Sequence, residues 1–376
     1  MAGIIFNIDE SVRNSAFNIL QEPVKMILEN ETEAFEKNSI IPKVFVMKTT
    51  DKYREEYRST TTMDGFQPTE DMEPANLSDF EEGYSKQYLF QTWTNAFIVS
   101  KQTIEDNQLM SIEPRAMGFI KSYGRTREIY AVNLLGAALG KEGLAYNLTA
   151  KHGKGMDTVD GTLDGDKQQY FHNKHKTVKL KDGRAQIEQS NKYSIAGMDI
   201  DNTTDEDLEA QVMDVIGQIA SKMATFKDDK GNIVPCKPTR IVMGEDYRLH
   251  DTLVRAMKNK FGMAGESGSA KYEIFVSPYL SAVEGFTEAD HAILLIDPER
   301  NREGMGATWF DRVSLQVDSY VDKKSKANVW DGRARFGAGF GDFRAITYVN
   351  FAGKETTNAT TDIKPRKRVR NVKVVE

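Results

Sequence analysis

The chain has 376 residues, 28% charged and 39% hydrophobic, with 50 Lys and Arg against 56 Asp and Glu for a formal charge of -6. That length exceeds one ordinary core and predicts several sub-domains or one large body with extensions. The negative charge excludes general nucleic-acid affinity driven by phosphate neutralisation, although it allows a local basic patch. The single cysteine, Cys236, excludes an internal disulfide and any thiolate cluster for zinc or iron–sulfur.

No apolar run approaches the ~20 residues a membrane span needs. Residues 1–12, MAGIIFNIDESV, lack the basic flank and apolar stretch of a secretory signal, so a cytoplasmic protein is predicted.

In chain order, residues 9–38 read as a helix, because Val12, Ala16, Ile19, Leu20, Val24, Ile27, Leu28 and Phe35 recur at three- and four-residue spacing. Pro23 is expected to kink or split it. Residues 43–49 (KVFVMKT) and 86–100 (KQYLFQTWTNAFIVS) are rich in β-branched and aromatic side chains and predict strands. Between Asp64 and Tyr84 stand seven acidic residues (Asp64, Glu70, Asp71, Glu73, Asp79, Glu81, Glu82) and no basic one, with Gly65, Pro68, Pro74 and Gly83 as breakers. That composition predicts a solvated, protruding hairpin tip.

Residues 112–140 carry the strongest helical stripe, through Ile112, Ala116, Phe119, Ile120, Tyr123, Tyr130, Leu134 and Ala138, a spine roughly 40 Å long. Residues 144–192 lose periodicity and predict an irregular excursion. A second clean helix is predicted over 204–226, then a compact block: strand 239–243, helix 245–261, a glycine-rich turn, and strands 272–277 and 292–296. Alternation from Ala307 to Asp322 and again from Ala345 to Phe351 predicts two long strands. Between them, Gly337, Gly339 and Gly341 interleave with Phe336, Phe340 and Phe343, a pattern predicting a bent or bulged strand with close backbone approach. The tail from Gly353 is polar and then basic, with Lys364, Arg366, Lys367, Arg368, Arg370 and Lys373.

Candidate chemistry is sparse. His172 and His175 in FHNKH have a spacing that suits a metal, with Asp160, Asp164 and Asp166 upstream, but the segment lacks helical pattern and Lys174 and Lys176 oppose a cation. Asp199 to Asp207 is similar to a calcium loop, yet Thr204 stands at the turn glycine and Ala210 at the bidentate glutamate, so an acid-capped helix start is predicted. GAGFG at 337–341 does not fit a dinucleotide turn, HGKGMD lacks the first glycine and the hydroxyl of a P-loop, and no nucleophile elbow is present. No catalytic residue, cofactor or metal ligand is assigned, and no enzyme is predicted.

The order of these elements, with FIVSKQTIED (97–106) entering the spine, FHNKH (171–175), YEIFVSPYL (272–280) and the ending Arg333–Arg344, resembles the major capsid protein of tailed double-stranded DNA bacteriophages. The resemblance implies an α+β fold with an N-terminal arm over 1–42, an extended loop hairpin (E-loop) over 43–105, and a peripheral (P) domain with the spine helix over 106–194 and 306–352. It further implies an axial (A) domain over 195–305 and a basic C-terminal tail over 353–376. The function it implies is a structural subunit that self-assembles, as pentamers and hexamers, into an icosahedral head shell enclosing double-stranded DNA without sequence-specific binding. Scaffolding protein and portal would be its partners, the virion its location and the host cytoplasm its place of assembly. No cofactor is implied. Asp71, Glu73, Glu81 and Glu82 on the hairpin, with Arg366, Lys367, Arg368 and Arg370 on the tail, are the expected assembly contacts. Two alternatives stand beside this reading: a cellular encapsulin-type nanocompartment shell, and a metal-dependent enzyme using His172 and His175.

Overall fold

The computed structural model describes residues 5–8, 15–63, 65–66, 68–69, 71, 74, 81–106, 109–140, 168–181, 183–196, 198–261, 272–352 and 363. The chain begins with β1 (Ile5–Ile8), α1 (Ser15–Asn38), α2 (Ile41–Val44), β2 (Val46–Thr49), β3 (Arg54–Thr60), β4 (Glu82–Leu89), β5 (Gln91–Val99), α3 (Lys101–Glu105) and α4 (Leu109–Ala138). It continues with β6 (His175–Lys176), β7 (Glu188–Gln189), β8 (Lys192–Ser194), α5 (Asp205–Met223), β9 (Arg240–Met243), α6 (Tyr247–Phe261), β10 (Glu273–Val276) and β11 (Ala292–Ile296). The last elements are α7 (Pro298–Gly304), β12 (Ala307–Val321), β13 (Asn328–Phe340) and β14 (Ile346–Asn350). The architecture is mixed α+β, as the sequence predicts.

The chain divides into two compact units. The first comprises 1–56, 87–131 and 308–339, and the second 57–86, 132–307 and 340–376.

In the first unit a sheet runs β1-β12-β13-β5, with β2 also paired to β12. β5 and β13 are antiparallel from Val99↔Asn328 to Gln91↔Phe336. One face of this sheet meets α4 through aromatics: Phe97 packs on Phe119 at 5.4 Å and Tyr130 meets Trp93 and Trp309 edge-on at 6.1 and 5.5 Å, while within the sheet Phe97 stacks on Trp330 at 4.9 Å and Trp93 on Phe336 at 5.3 Å. Gly332 leaves the space Phe119 fills, since a Cβ there would fall 3.1 Å from the Phe119 Cε2. α1 seats Phe35 on Gly124 of α4 in the same way, with a Cβ position 2.6 Å from the Phe35 ring.

In the second unit a sheet runs β10-β9-β11-β14-β8. β11 is buried at all five positions and α5 buries Leu208, Val212, Val215, Ile216 and Ile219, so the core lies between this sheet and α5 and α6. Ile363 joins that core at 4% exposure.

Several expectations change. α1 is assigned as one helix from Ser15 to Asn38, so Pro23 does not split it. Residues 41–44 wind into a helical turn opened by Pro42, which fits the first helical turn because its missing N–H is not needed there, and the strand begins only at Val46. The single strand predicted over 86–100 is two, split at Phe90, because β4 pairs with β3 whereas β5 pairs with β13. In the glycine-rich stretch Asn328–Phe340 is one continuous strand, paired to β5 in unbroken register as far as Phe336, and Gly337, Gly339 and Gly341 have no positive φ. Residues 9–14, most of the excursion at 144–192, the glycine-rich turn after 261 and the basic tail lie outside the described residues.

Candidate assembly surfaces

The β3–β4 hairpin alternates strictly. Tyr57 and Ser59 on β3, and Lys86 and Tyr88 on β4, are half-buried or buried, while Glu56, Arg58, Ser85, Gln87 and Leu89 are exposed. Period-two alternation of this kind turns one face of a two-stranded ribbon onto protein and the other to solvent. Burial pushes the Tyr57 phenol up to about 12.

Within the second unit the hairpin is fastened near its outer end. Thr62 Oγ1 donates to Asp228 Oδ2 at 2.5 Å, and the Lys181 N–H donates to Glu81 Oε2 at 3.3 Å. Asp228 is itself fixed by the backbone N–H groups of Lys230 and Asn232 at 2.9 and 2.8 Å. Although burial opposes its charge, the bonds from Thr62, Asn232 and Lys230 hold its carboxyl below the usual carboxylate range. Gly83, read from sequence as a breaker, lies inside β4 and is required for contact: a Cβ there would meet Ser59 Oγ and stand 3.0 Å from Val178 Cγ2. Beyond the fastening, Met63 is 51% exposed and Phe66 fully so.

Under the hairpin root lies a cavity of about 430 Å³, also wholly within the second unit, lined by Tyr57, Arg58 and Lys86 on one side and by Asp228, Asp229 and the Phe340–Arg344 turn on the other. That turn is built on Asp342. Arg300 Nη2 and Arg344 Nη1 donate to its two oxygens at 2.6 and 3.0 Å. Burial opposes the charge, but Arg344 and Arg300 outweigh it and hold the Asp342 carboxyl low. This arrangement is a structural clamp that closes the strand–turn–strand passage.

In the first unit Arg127 and Asp311 form a buried pair at 3.2 Å, both side chains under 10% exposed. Trp309 Nε1 also donates to Asp311 at 2.9 Å, and the Arg127 guanidinium lies over the Trp309 ring at 5.2 Å. Neither residue was singled out from sequence. Arg127 sits on α4 beyond the apolar stripe, and only the register of β12 brings Asp311 to it.

Of the expected contacts, Asp71 is exposed on the hairpin tip, Glu81 accepts from Lys181, and Glu82 pairs with Arg58 at 3.1 Å across the hairpin. Glu73, Arg366, Lys367, Arg368 and Arg370 lie outside the described residues.

His172 and His175 have ring centroids 5.8 Å apart, but His175 is fully buried, stacked on Phe343 at 4.2 Å, with its Nε2 3.0 Å from the Tyr170 carbonyl. Asn191 ties the same knot, donating to the Tyr170, Phe343 and Ile346 carbonyls at 2.8, 3.2 and 3.2 Å. Those groups are spent on packing. Among the described residues no group of three His, Cys, Asp or Glu comes together with metal-site geometry, and no helix is long and apolar enough to cross a membrane. Asp160, Asp164 and Asp166 are outside the described residues. The acidic run at 199–207 opens α5, where Asp205 accepts from Arg248 at 2.7 Å and from Arg255.

No protein-family model matches the chain, and no curated protein sequence does. Among solved structures the chain is similar to the capsid of the cyanophage P-SCSP1u, at 11% identity and a TM-score of 0.48 over 84% of this chain and 88% of that one. It is similar to the capsid of the Myoviridae phage XM1 at 12% identity and a TM-score of 0.45, over 82% and 89%. It is likewise similar to a virus-like particle from Pyrococcus furiosus at 10% identity and a TM-score of 0.44, over 87% and 98%.

Proposed function

We propose that this chain is the major capsid protein of a tailed double-stranded DNA bacteriophage, a non-enzymatic subunit that self-assembles into the icosahedral head. The observation that carries the reading is the hairpin: its strands are held at Thr62 and Glu81, yet Met63 and Phe66 beyond them stand in water at 51% and 110% exposure. A two-stranded ribbon is marginal alone, and apolar side chains on its tip are stabilised when another subunit covers them. The succession of arm, hairpin, 30-residue helix, α/β unit and long returning strands supports the same reading, because it is the order in which the sequence resembles that family.

In this reading residues 1–42 are the arm, 43–105 the extended loop, 106–194 with 306–352 the peripheral domain, 195–305 the axial domain and 353–376 the tail. Pentamers and hexamers of the chain form the shell around DNA, with scaffolding protein and portal as partners. Assembly takes place in the host cytoplasm. Asp71, Glu73, Glu81 and Glu82 meet neighbouring subunits, and Arg366, Lys367, Arg368 and Arg370 meet an acidic surface or the packaged DNA.

Negative-stain microscopy of the protein co-expressed with scaffolding protein tests the proposal, with closed particles containing nuclease-protected DNA as the expected result. Particles holding protein cargo and no DNA would turn the reading to a nanocompartment. Persistent monomers would end both.

A further inference from the structure

β5 is the outermost strand of the sheet in the first unit, and among the described residues no strand pairs with its outer edge. Sheets guard such an edge with charges, proline, a bulge or a covering element, because a row of unpaired N–H and C=O groups is a template for another strand. Gln91–Val99 reads QTWTNAFIV, without a charged residue, proline or glycine. Thr92, Thr94, Asn95, Ala96 and Ile98 are exposed along it.

Two hydrogen bonds show which backbone groups face outward. Arg115 Nη1 donates to the Ile98 carbonyl at 2.7 Å, and the Ala96 N–H donates to Asn95 Oδ1 at 3.0 Å. Even-numbered residues therefore point away from β13, and since the parity of an antiparallel ladder alternates, Thr92 and Thr94 present their N–H and C=O outward too. Arg115 and Asn95 cap the half of the edge nearer α3. Among the described residues, Gln91–Thr94 is left uncapped.

We infer that this segment is a contact between two copies of the chain. β5 pairs antiparallel with β5 of a second copy about a two-fold axis, with Trp93 opposite Trp93 and Thr92 exchanging both backbone hydrogen bonds with Thr94. A two-fold contact needs one patch that complements itself. This register sets Gln91 opposite Asn95 and brings no like charges together, which is the condition for cross-strand pairs to stabilise. The inference goes beyond the shell reading, because it holds for a dimer in solution as well as for a particle.

Cysteines at both Gln91→Cys and Asn95→Cys test it. Four residues apart on one strand, they are separated by about 13 Å, too far to bridge, whereas a facing non-hydrogen-bonded pair sits at about 4.5 Å between Cα atoms. Cys236 does not compete, being buried with its thiol pushed up to about 12 by burial. On mild oxidation the double variant should run as a reducible dimer on a non-reducing gel, at least ~10-fold more abundant than with either single cysteine. Thr94→Pro, which removes an outward N–H and leaves the β13 ladder intact, should keep the fold by circular dichroism and lose the association. No cross-link together with wild-type association of Thr94→Pro overturns the inference, and particles in the same preparation would then leave the shell reading standing. A cross-linked dimer without particles supports the inference and counts against the shell.

Discussion

Tyr88 on β4 occupies the space over Gly339 on β13 where a side chain would stand: a Cβ built on Gly339 lies 2.6 Å from Tyr88 Cε1. Two residues away, a Cβ on Gly337 would collide with the Leu89 carbonyl oxygen and stand 3.2 Å from Phe90 Cδ1. The glycines thus let the end of β4 lie flat against β13, and neither conformational freedom nor ligand binding explains them.

Gly339→Val therefore forces Tyr88 out of its buried position. The expected cost is about 1–3 kcal/mol, the usual range for overpacking a filled site. Urea denaturation checks it, and a midpoint equal to wild type would remove the close-approach reading.

Asp311→Ala leaves Arg127 buried without its carboxylate and Trp309 Nε1 without its acceptor. Removing one partner of a buried pair typically costs about 3–5 kcal/mol. The companion substitution Arg127→Met should recover much of that loss, so a double-mutant cycle by chemical denaturation should show strong coupling. Additive losses would mean that the two residues do not act as a pair.

Charge reversal at Glu81 and Glu82 removes the Lys181 contact and the exposed Arg58 ion pair. Exposed pairs contribute little to stability, so the melting temperature should stay near wild type while assembly, followed by light scattering, is impaired. Amide exchange over 57–63 should quicken, because the hairpin has lost one of its fastenings. Unfolding in circular dichroism would show that the hairpin is integral to the subunit's core.

His291 supplies a pH dependence. Its Nδ1 lies 2.7 Å from Asp246 Oδ2 and its Nε2 3.9 Å from Asp201 Oδ2, and the Asp246 hydrogen bond raises its pKa despite partial burial. A raised folded-state pKa means that the imidazolium stabilises fully below the unfolded value of about 6.5 and that the contribution disappears as pH climbs through the higher folded value. The stability gap between wild type and His291→Gln should accordingly be widest in mild acid and narrow above neutral pH. A gap independent of pH would show that protonation of His291 is not coupled to folding.

Much of the element order was legible. α4, α5, α6, β9, β11, β12 and β14 lie within a few residues of the predicted spans, because the helices and β12 carry a periodic apolar face and the short central strands β9, β11 and β14 are buried as apolar runs, and both patterns survive in the sequence. Where prediction failed, partners decided. The break at Phe90 has no local signal, since both flanking runs are equally β-prone and only the choice between β3 and β13 separates them. Pro23 does not split α1, because a proline costs a helix one hydrogen bond and some local clash, which need not end it. Among the expected contacts, the acidity of the hairpin was readable, but that Glu81 reaches Lys181 and Glu82 reaches Arg58 was not.

Composition and periodicity alone determined that the chain mixes helices with strands, that it has no internal disulfide and that an acidic segment lies between two β-prone runs. Those properties depend on residue type and on spacing along the chain, which a sequence states directly. Only the tertiary structure decided that the interleaved glycines seat Tyr88 and Leu89, that Arg127 meets Asp311, that His175 is consumed by Tyr170 and Phe343, and that β5 is the last strand of its sheet among the described residues. Each of these depends on which strand pairs with which, a long-range choice settled by packing and carried by no single segment.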